Sequence, residues 1–160
     1  MNRILFFLLV CCLSSCAANT SRNSFVGGLP NDPAVVGQIA QDAAMRLSVL
    51  YPPGQTRIKL MYPDKKGQSK VPDKFSTSLE NSLRKKGFTI SPAATLQLDW
   101  TINALVGINE KKEPNKSYYL YLHLTDVSSS AKNRAITRLY NDKGDPQAGF
   151  AEQQPQGYLE

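Results

Sequence analysis

Cysteine is nearly missing from this 160-residue sequence: there are three, Cys11, Cys12 and Cys16, all near the N terminus. Beyond Cys16 no disulfide, thiolate nucleophile or cysteine-ligated metal is available. Histidine is scarcer still. His123 is alone, so it has neither a second histidine nor a cysteine to complete a zinc site, and no nucleophile signature accompanies it. Set between Leu122 and Leu124 in a strand-like pattern, it reads as a structural residue. The GxSxG, HExxH and phosphate-loop patterns are also missing, and the carboxylates are scattered. Asp99, beside Trp100, fits a solvated strand position better than half of an acid pair. No catalytic residue, metal ligand, cofactor site or small-molecule substrate is expected.

Acidic charge is in modest deficit, with 19 Lys and Arg against 13 Asp and Glu and a formal net charge of +6. The excess is spread along the chain rather than gathered in a stripe, which makes nucleic acid a poor partner. Short basic runs at Lys65-Lys66, Arg84-Lys85-Lys86 and Lys111-Lys112 fit solvated faces. The other reading is contact with acidic protein or an anionic membrane surface, and Arg84, Lys85 and Lys86 are kept as candidate partner contacts.

What is present begins at the N terminus. Arg3 and the apolar run from Ile4 to Cys12 have the charge and length of a secretory signal, far short of the roughly 20 residues of a spanning helix. Leu13-Ser14-Ser15-Cys16 resembles the lipobox of bacterial lipoproteins: an apolar residue, two small residues and the cysteine whose thiolate takes a diacylglyceryl group. Residues 1–15 are therefore the expected lipoprotein signal peptide, with Cys16 the lipidation site and first mature residue. A plain signal peptide cut after Ala18 stays open, because Cys16-Ala17-Ala18 also presents small residues. Several acyl chains, at about 0.8 kcal/mol per buried methylene, hold a protein to a bilayer. Ala17 stands where inner-membrane retention uses aspartate, which points to the outer membrane with the domain on its periplasmic side.

The mature length suits one domain. Residues 16–31 are small, polar and glycine-bearing, with Phe25, Val26 and Leu29 the sizeable apolar side chains, and read as a lipidated flexible tether. Asp32-Pro33 starts a helix well. Val36, Ile39, Ala40, Ala43, Leu47 and Leu50 follow on one face, and Tyr51-Pro52-Pro53-Gly54 ends it. Arg57 to Tyr62 alternates as a strand, with a polar turn at 65–70. A second helix from about Asp73 to Lys86 buries Phe75, Leu79 and Leu83 and stops at Gly87. Phe88 to Ile90 begins a short strand. From Leu96 to Val106 strict alternation predicts a long strand crossing a whole sheet with one dry face. A lysine-rich turn precedes Tyr118, Leu120, Leu122 and Leu124 on the returning strand, with Tyr119, Tyr121 and His123 opposite. Arg134 to Tyr140 continues the meander, and Phe150 ends a last short strand.

These elements predict an α+β fold: a single small domain over 32–152, with two helices packed on an antiparallel sheet of four or five strands and a polar tail at 153–160. Tyr119 and Tyr121 are candidate partner anchors, because tyrosines bury a large rigid surface while keeping a hydroxyl. The alternative is that a second layer of the same domain covers them.

The order of short phrases resembles the TrbH family of conjugal transfer lipoproteins. They are Leu50-Tyr51-Pro52-Pro53 after helix one, Leu83-Arg84-Lys85-Lys86-Gly87-Phe88 after helix two, Thr137-Arg138-Leu139-Tyr140 in a late strand, and Gly149-Phe150. The family close often carries a tryptophan and a basic tail, which this chain lacks. The resemblance implies a structural component of a type IV secretion apparatus at the outer membrane, anchoring or stabilising its ring subunits, with no catalytic residue to carry over. The rival expectation is an outer-membrane module that binds lipid or cell-wall glycan. A large apolar pocket between helices and sheet favours the rival, and a filled core with an exposed tyrosine row favours the scaffold.

Overall fold

The computed structural model describes residues 24–63, 72–108, 114–129 and 133–148. Along them run β1 (Phe25–Val26), α1 (Pro33–Leu50), β2 (Arg57–Leu60), α2 (Lys74–Lys85), β3 (Thr89–Ile90), β4 (Leu96–Ile108), β5 (Pro114–Asp126) and β6 (Arg134–Tyr140). The signal peptide, Cys16, Lys65-Lys66, Lys111-Lys112, Phe150 and the tail at 153–160 lie outside the described residues.

Both helices start and stop where their end chemistry dictates. Asp32 accepts from the Ala34 amide at 2.8 Å, and Pro33 occupies a position where its missing N–H costs nothing. The Tyr51 amide closes α1 on the Leu47 carbonyl before Pro52-Pro53 forbids another turn. Asp73 accepts from the Ser76 amide at 3.0 Å. At the other end of α2, Gly87 has φ +92°. Its amide bonds to the Arg84 carbonyl and that of Phe88 to the Leu83 carbonyl, a glycine-terminated cap with Phe88 and Leu83 both buried.

The sheet runs β3-β2-β4-β5-β6, with β1 on a second stretch of the β4 edge. The α+β class holds, with two helices on one sheet. The sheet is mixed, however, rather than antiparallel throughout: β4-β5-β6 is an antiparallel meander, whereas β1, β2 and β3 join in parallel. The reason is connectivity, since α2 carries the chain back between β2 and β3, and such a crossover returns a strand in the same direction.

The domain also begins earlier than Asp32. Ser24 accepts from the Trp100 amide at 3.0 Å and donates to the Met61 carbonyl, joining the end of β2 to the start of β1. Gly27 donates to the Ile102 carbonyl at 2.9 Å. A Cβ at Gly27 would collide with the Asn103 side chain, and one at Gly28 would lie 2.9 Å from the Ala104 Cβ. Small residues that suggested a loose tether thus allow the segment to lie flat against β4, with Val26 and Leu29 packed on the core.

One core fills the space between helices and sheet. Val36, Ile39, Ala40, Ala43 and Leu47 of α1 and Phe75, Leu79 and Leu83 of α2 meet Ile58, Leu98, Trp100, Ile102, Leu120, Leu122, Leu124 and Ile136. Trp100 is fully buried, with the Phe75 ring at 6.4 Å and the Tyr62 ring at 6.0 Å, both in edge contact. The expected dry face of β4 stops at Ile102: Ala104 to Ile108 are exposed, because β4 and β5 outrun the rest of the sheet as a two-stranded ribbon.

Candidate partner-binding face

The pleat of β5 sends Tyr118, Leu120, Leu122 and Leu124 into the core and Tyr119, Tyr121 and His123 to the other side, where all three are half-buried. The helices lie on the core side. Register completes the outer face: Asn103, Tyr119 and Leu139 stand in one row across β4, β5 and β6, and Thr101, Tyr121 and Thr137 in the next. β1 places Phe25 beside Thr101, with 54% of its surface exposed. Two tyrosines, a phenylalanine and a leucine among threonine and asparagine make a surface of large rigid contacts and spare hydrogen-bonding groups, the composition that favours protein recognition.

His123 and Asp99 face each other on this side, with Nδ1 3.1 Å from Oδ2 and both side chains mostly covered. Thr125 Oγ1 is 3.3 Å from the same nitrogen, and the Tyr121 ring is parallel to the imidazole at 6.2 Å. Asp99 is therefore a cross-strand partner rather than a lone solvated carboxylate. Pairing along the hairpin is in simple antiparallel register, with Ile108 opposite Pro114 and Asp99 opposite His123; that register was the available signal for the pair. Among the described residues no three His, Cys, Asp or Glu side chains converge as a metal site.

The three basic candidates of α2 do not act together. Arg84 turns back to Glu80, with Nε and Nη2 at 2.9 and 2.8 Å from Oε1. Glu80 also accepts from the Tyr62 hydroxyl at 2.5 Å, and that bond, with Arg84 beside it, holds its carboxyl below the usual carboxylate range. Burial, reinforced by Glu80, pushes the Tyr62 hydroxyl up. Lys85 and Lys86 instead line an open groove of about 880 Å³ between the helices, with Gln38, Gln41, Asn81 and Ser82. Most of its lining residues are polar, with Ala34 and Gly37 also on its walls.

On the core side, the end of β6 is tied to α1. Tyr140 donates to Asp42 Oδ2 at 2.9 Å, and Arg138 Nε lies 3.5 Å from the same oxygen. Burial first, then the Asp42 charge, pushes the Tyr140 hydroxyl up. Beyond Tyr140, Gly144 adopts φ +85° and approaches α1 so closely that a Cβ would lie 3.1 Å from Val35 Cγ1. The phrases Tyr51-Pro52-Pro53, Leu83 to Phe88 and Thr137 to Tyr140 are thus a helix stop, a helix cap and a strand–helix tie.

A family model described as conjugal transfer protein TrbH matches residues 19–152. This chain belongs to the TrbH family. TrbH membership makes it a conjugal transfer component, and the match begins before Ser24, in keeping with β1 as part of the domain. No curated protein and no solved structure matches the chain. Among the described residues of this TrbH domain no helix is long and apolar enough to cross a membrane.

Proposed function

We propose that this TrbH-family chain is a lipid-anchored, non-catalytic structural component of a type IV secretion apparatus for plasmid transfer. Cys16 holds it to the outer membrane, and the open sheet face around Tyr119 and Tyr121 engages and steadies the ring subunits from the periplasmic side. The supporting observation is the pairing of a filled core with a half-buried aromatic face that lies opposite the helices. A lipid-binding module needs an apolar cavity between helices and sheet. In the described residues that space is occupied by Trp100, Phe75, Leu98 and Ile39, each fully buried, and the groove between the helices is lined mostly by polar side chains.

The test has two arms. Metabolic labelling with a fatty acid is expected to mark the chain and to fail on Cys16→Ser, which accumulates as precursor; label retained on that variant removes the anchor. Affinity capture of the lipoprotein from mating-competent cells is expected to bring down ring subunits, and less of them when Tyr119 and Tyr121 are both serine. Undiminished recovery removes this face from the interface.

A further inference from the structure

We infer that the free edge of β4 beyond Ala104 is a self-association site, where a second copy of this chain adds its own β4 in antiparallel fashion. β4 and β5 pair along all 13 residues of each, yet among the described residues β6 covers β5 only from Tyr118 to Leu124, and β1 and β2 cover β4 only up to Ile102. The remainder projects as a two-stranded ribbon, an arrangement of marginal stability on its own in water. Leu105, Val106 and Ile108 on it are 47%, 72% and 77% exposed. Val106 and Ile108 continue the stripe that buries Leu98, Trp100 and Ile102.

The two edges of the ribbon differ. That of β5 carries Pro114, which has no amide hydrogen, and Lys116, two of the devices by which edge strands resist pairing. That of β4 from Asn103 to Ile108 has no charge and no proline. Its hydrogen-bonding direction is set by the covered part: the Leu98 and Ile102 carbonyls and the Trp100 amide all point toward β2 and β1. By the same alternation the main-chain groups of Val106 and Ile108 point to the open edge.

A second copy fits this edge because the edge is complementary to itself. Two-fold pairing about Gly107 sets Val106 against Ile108 of the second copy and vice versa, with main-chain bonds in both directions and apolar side chains aligned on one face. Gly107 meets itself at the axis, and a Cβ there touches nothing in the monomer, so packing within the domain does not account for the glycine. Lys116, opposite Val106 on β5, is three strand spacings from its counterpart. That is about 14 Å, beyond the screening length of roughly 8 Å.

The test is sedimentation velocity of the full-length chain in detergent at concentrations on the order of 10–100 µM, beside a cysteine placed at the axis. A reversible dimer is expected. Val106→Lys with Ile108→Lys raises its dissociation constant by about 30-fold or more, the loss of a central anchor, with the monomer still folded, since both side chains are outside the core. Gly107→Cys gives an oxidised dimer whose linked peptide joins position 107 to itself, whereas Gly54→Cys, on the turn after α1, does not. A chain that stays monomeric throughout, a dimer indifferent to the two lysines, or a linkage lacking position 107 overturns the inference. Should the lysine variant misfold by circular dichroism, the Gly107→Cys linkage decides alone.

Discussion

Replacing Tyr119 and Tyr121 together by serine separates a partner face from a covered one. In the monomer Tyr119 stands between Asn103 and Leu139, and Tyr121 between Thr101 and Thr137 with His123 stacked beside it. Cross-strand pairs of this kind contribute about 0.2–1 kcal/mol each. Four such pairs, some of which survive with serine, put the loss of stability at about 1–3 kcal/mol, against the 5–15 kcal/mol typical of a domain. The double variant is therefore expected to stay folded with a moderately lowered thermal midpoint. At an interface each tyrosine anchor is worth about 1–4 kcal/mol, so recovery of ring subunits should fall by tenfold or more, roughly, for the pair. Circular dichroism melting of the full-length protein in detergent gives the first quantity, and quantitative capture from mating-competent cells the second. Collapse of the fold before any partner is added would refute the open-face geometry. A folded variant captured as well as the native chain would refute the interface, leaving Lys85 and Lys86 in the groove as the next surface to change.

Trp100→Ala removes the largest fully buried side chain from between the Phe75 and Tyr62 rings, and should cost about 3–5 kcal/mol by denaturant titration; an unchanged midpoint contradicts the packing. A chain that starts at Asp32 loses Val26, Leu29 and the Ser24 bridge to Trp100. It should be less stable than one that starts at Asn19 by about 2–3 kcal/mol, since two half-buried aliphatic side chains go with β1. Tyr140→Phe keeps the ring but takes the hydroxyl from Asp42, costing about 1.5–3 kcal/mol for a bond to a charged group. Because the Tyr140 hydroxyl is raised by burial and by Asp42, its stability is present below about pH 10 and lost as pH rises further, and the phenylalanine variant should show less of that alkaline loss. Glu80, lowered by its bonds from Tyr62 and Arg84, works in the opposite sense: its stability is present above the carboxylate range and lost as pH falls through its lowered value. Glu80→Gln should flatten the melting curve's dependence on pH between about 5 and 3.

The helices and the meander were legible in the sequence because their determinants are local. Asp32-Pro33, Tyr51-Pro52-Pro53, Asp73 and Gly87 act within a turn or two of where they stand, and alternation along β5 fixes its faces without reference to anything else. The parallel half of the sheet was not legible. Four residues of β2 and two each of β1 and β3 carry too few side chains for periodicity to reveal a direction, which is set instead by the path of α2 between β2 and β3. β1 was hidden for a further reason: a segment of Gly, Ser and Asn reads as tether by composition. What orders it is a distant strand offering the Trp100 amide and the Ile102 carbonyl, a contact 76 residues away in the case of Ser24. Alternation in β4 carried the opposite error, since it reports which side chains share a face and not how far the covering layer extends. It runs unbroken past Ile102, where the core stops.

The same distinction governs the candidate site. The phrases that resemble the TrbH family are those with internal work to do: a proline stop on α1, a glycine cap that buries Phe88 on Leu83, and Arg138 and Tyr140 converging on Asp42. Substituting any of them disturbs the fold itself, so a pattern built from them identifies the domain and is silent about its contacts. The outer face is under a looser constraint. Thr101, Asn103, Tyr119, Tyr121, Thr137 and Leu139 satisfy the pleat with almost any strand-compatible residue, and a monomer with serine at the two tyrosines would still fold, at a loss of about 1–3 kcal/mol. Tyr119 and Tyr121 are half-buried on the face opposite the core, where the fold demands no aromatic side chain, and this freedom is the ground on which the proposed partner contact rests.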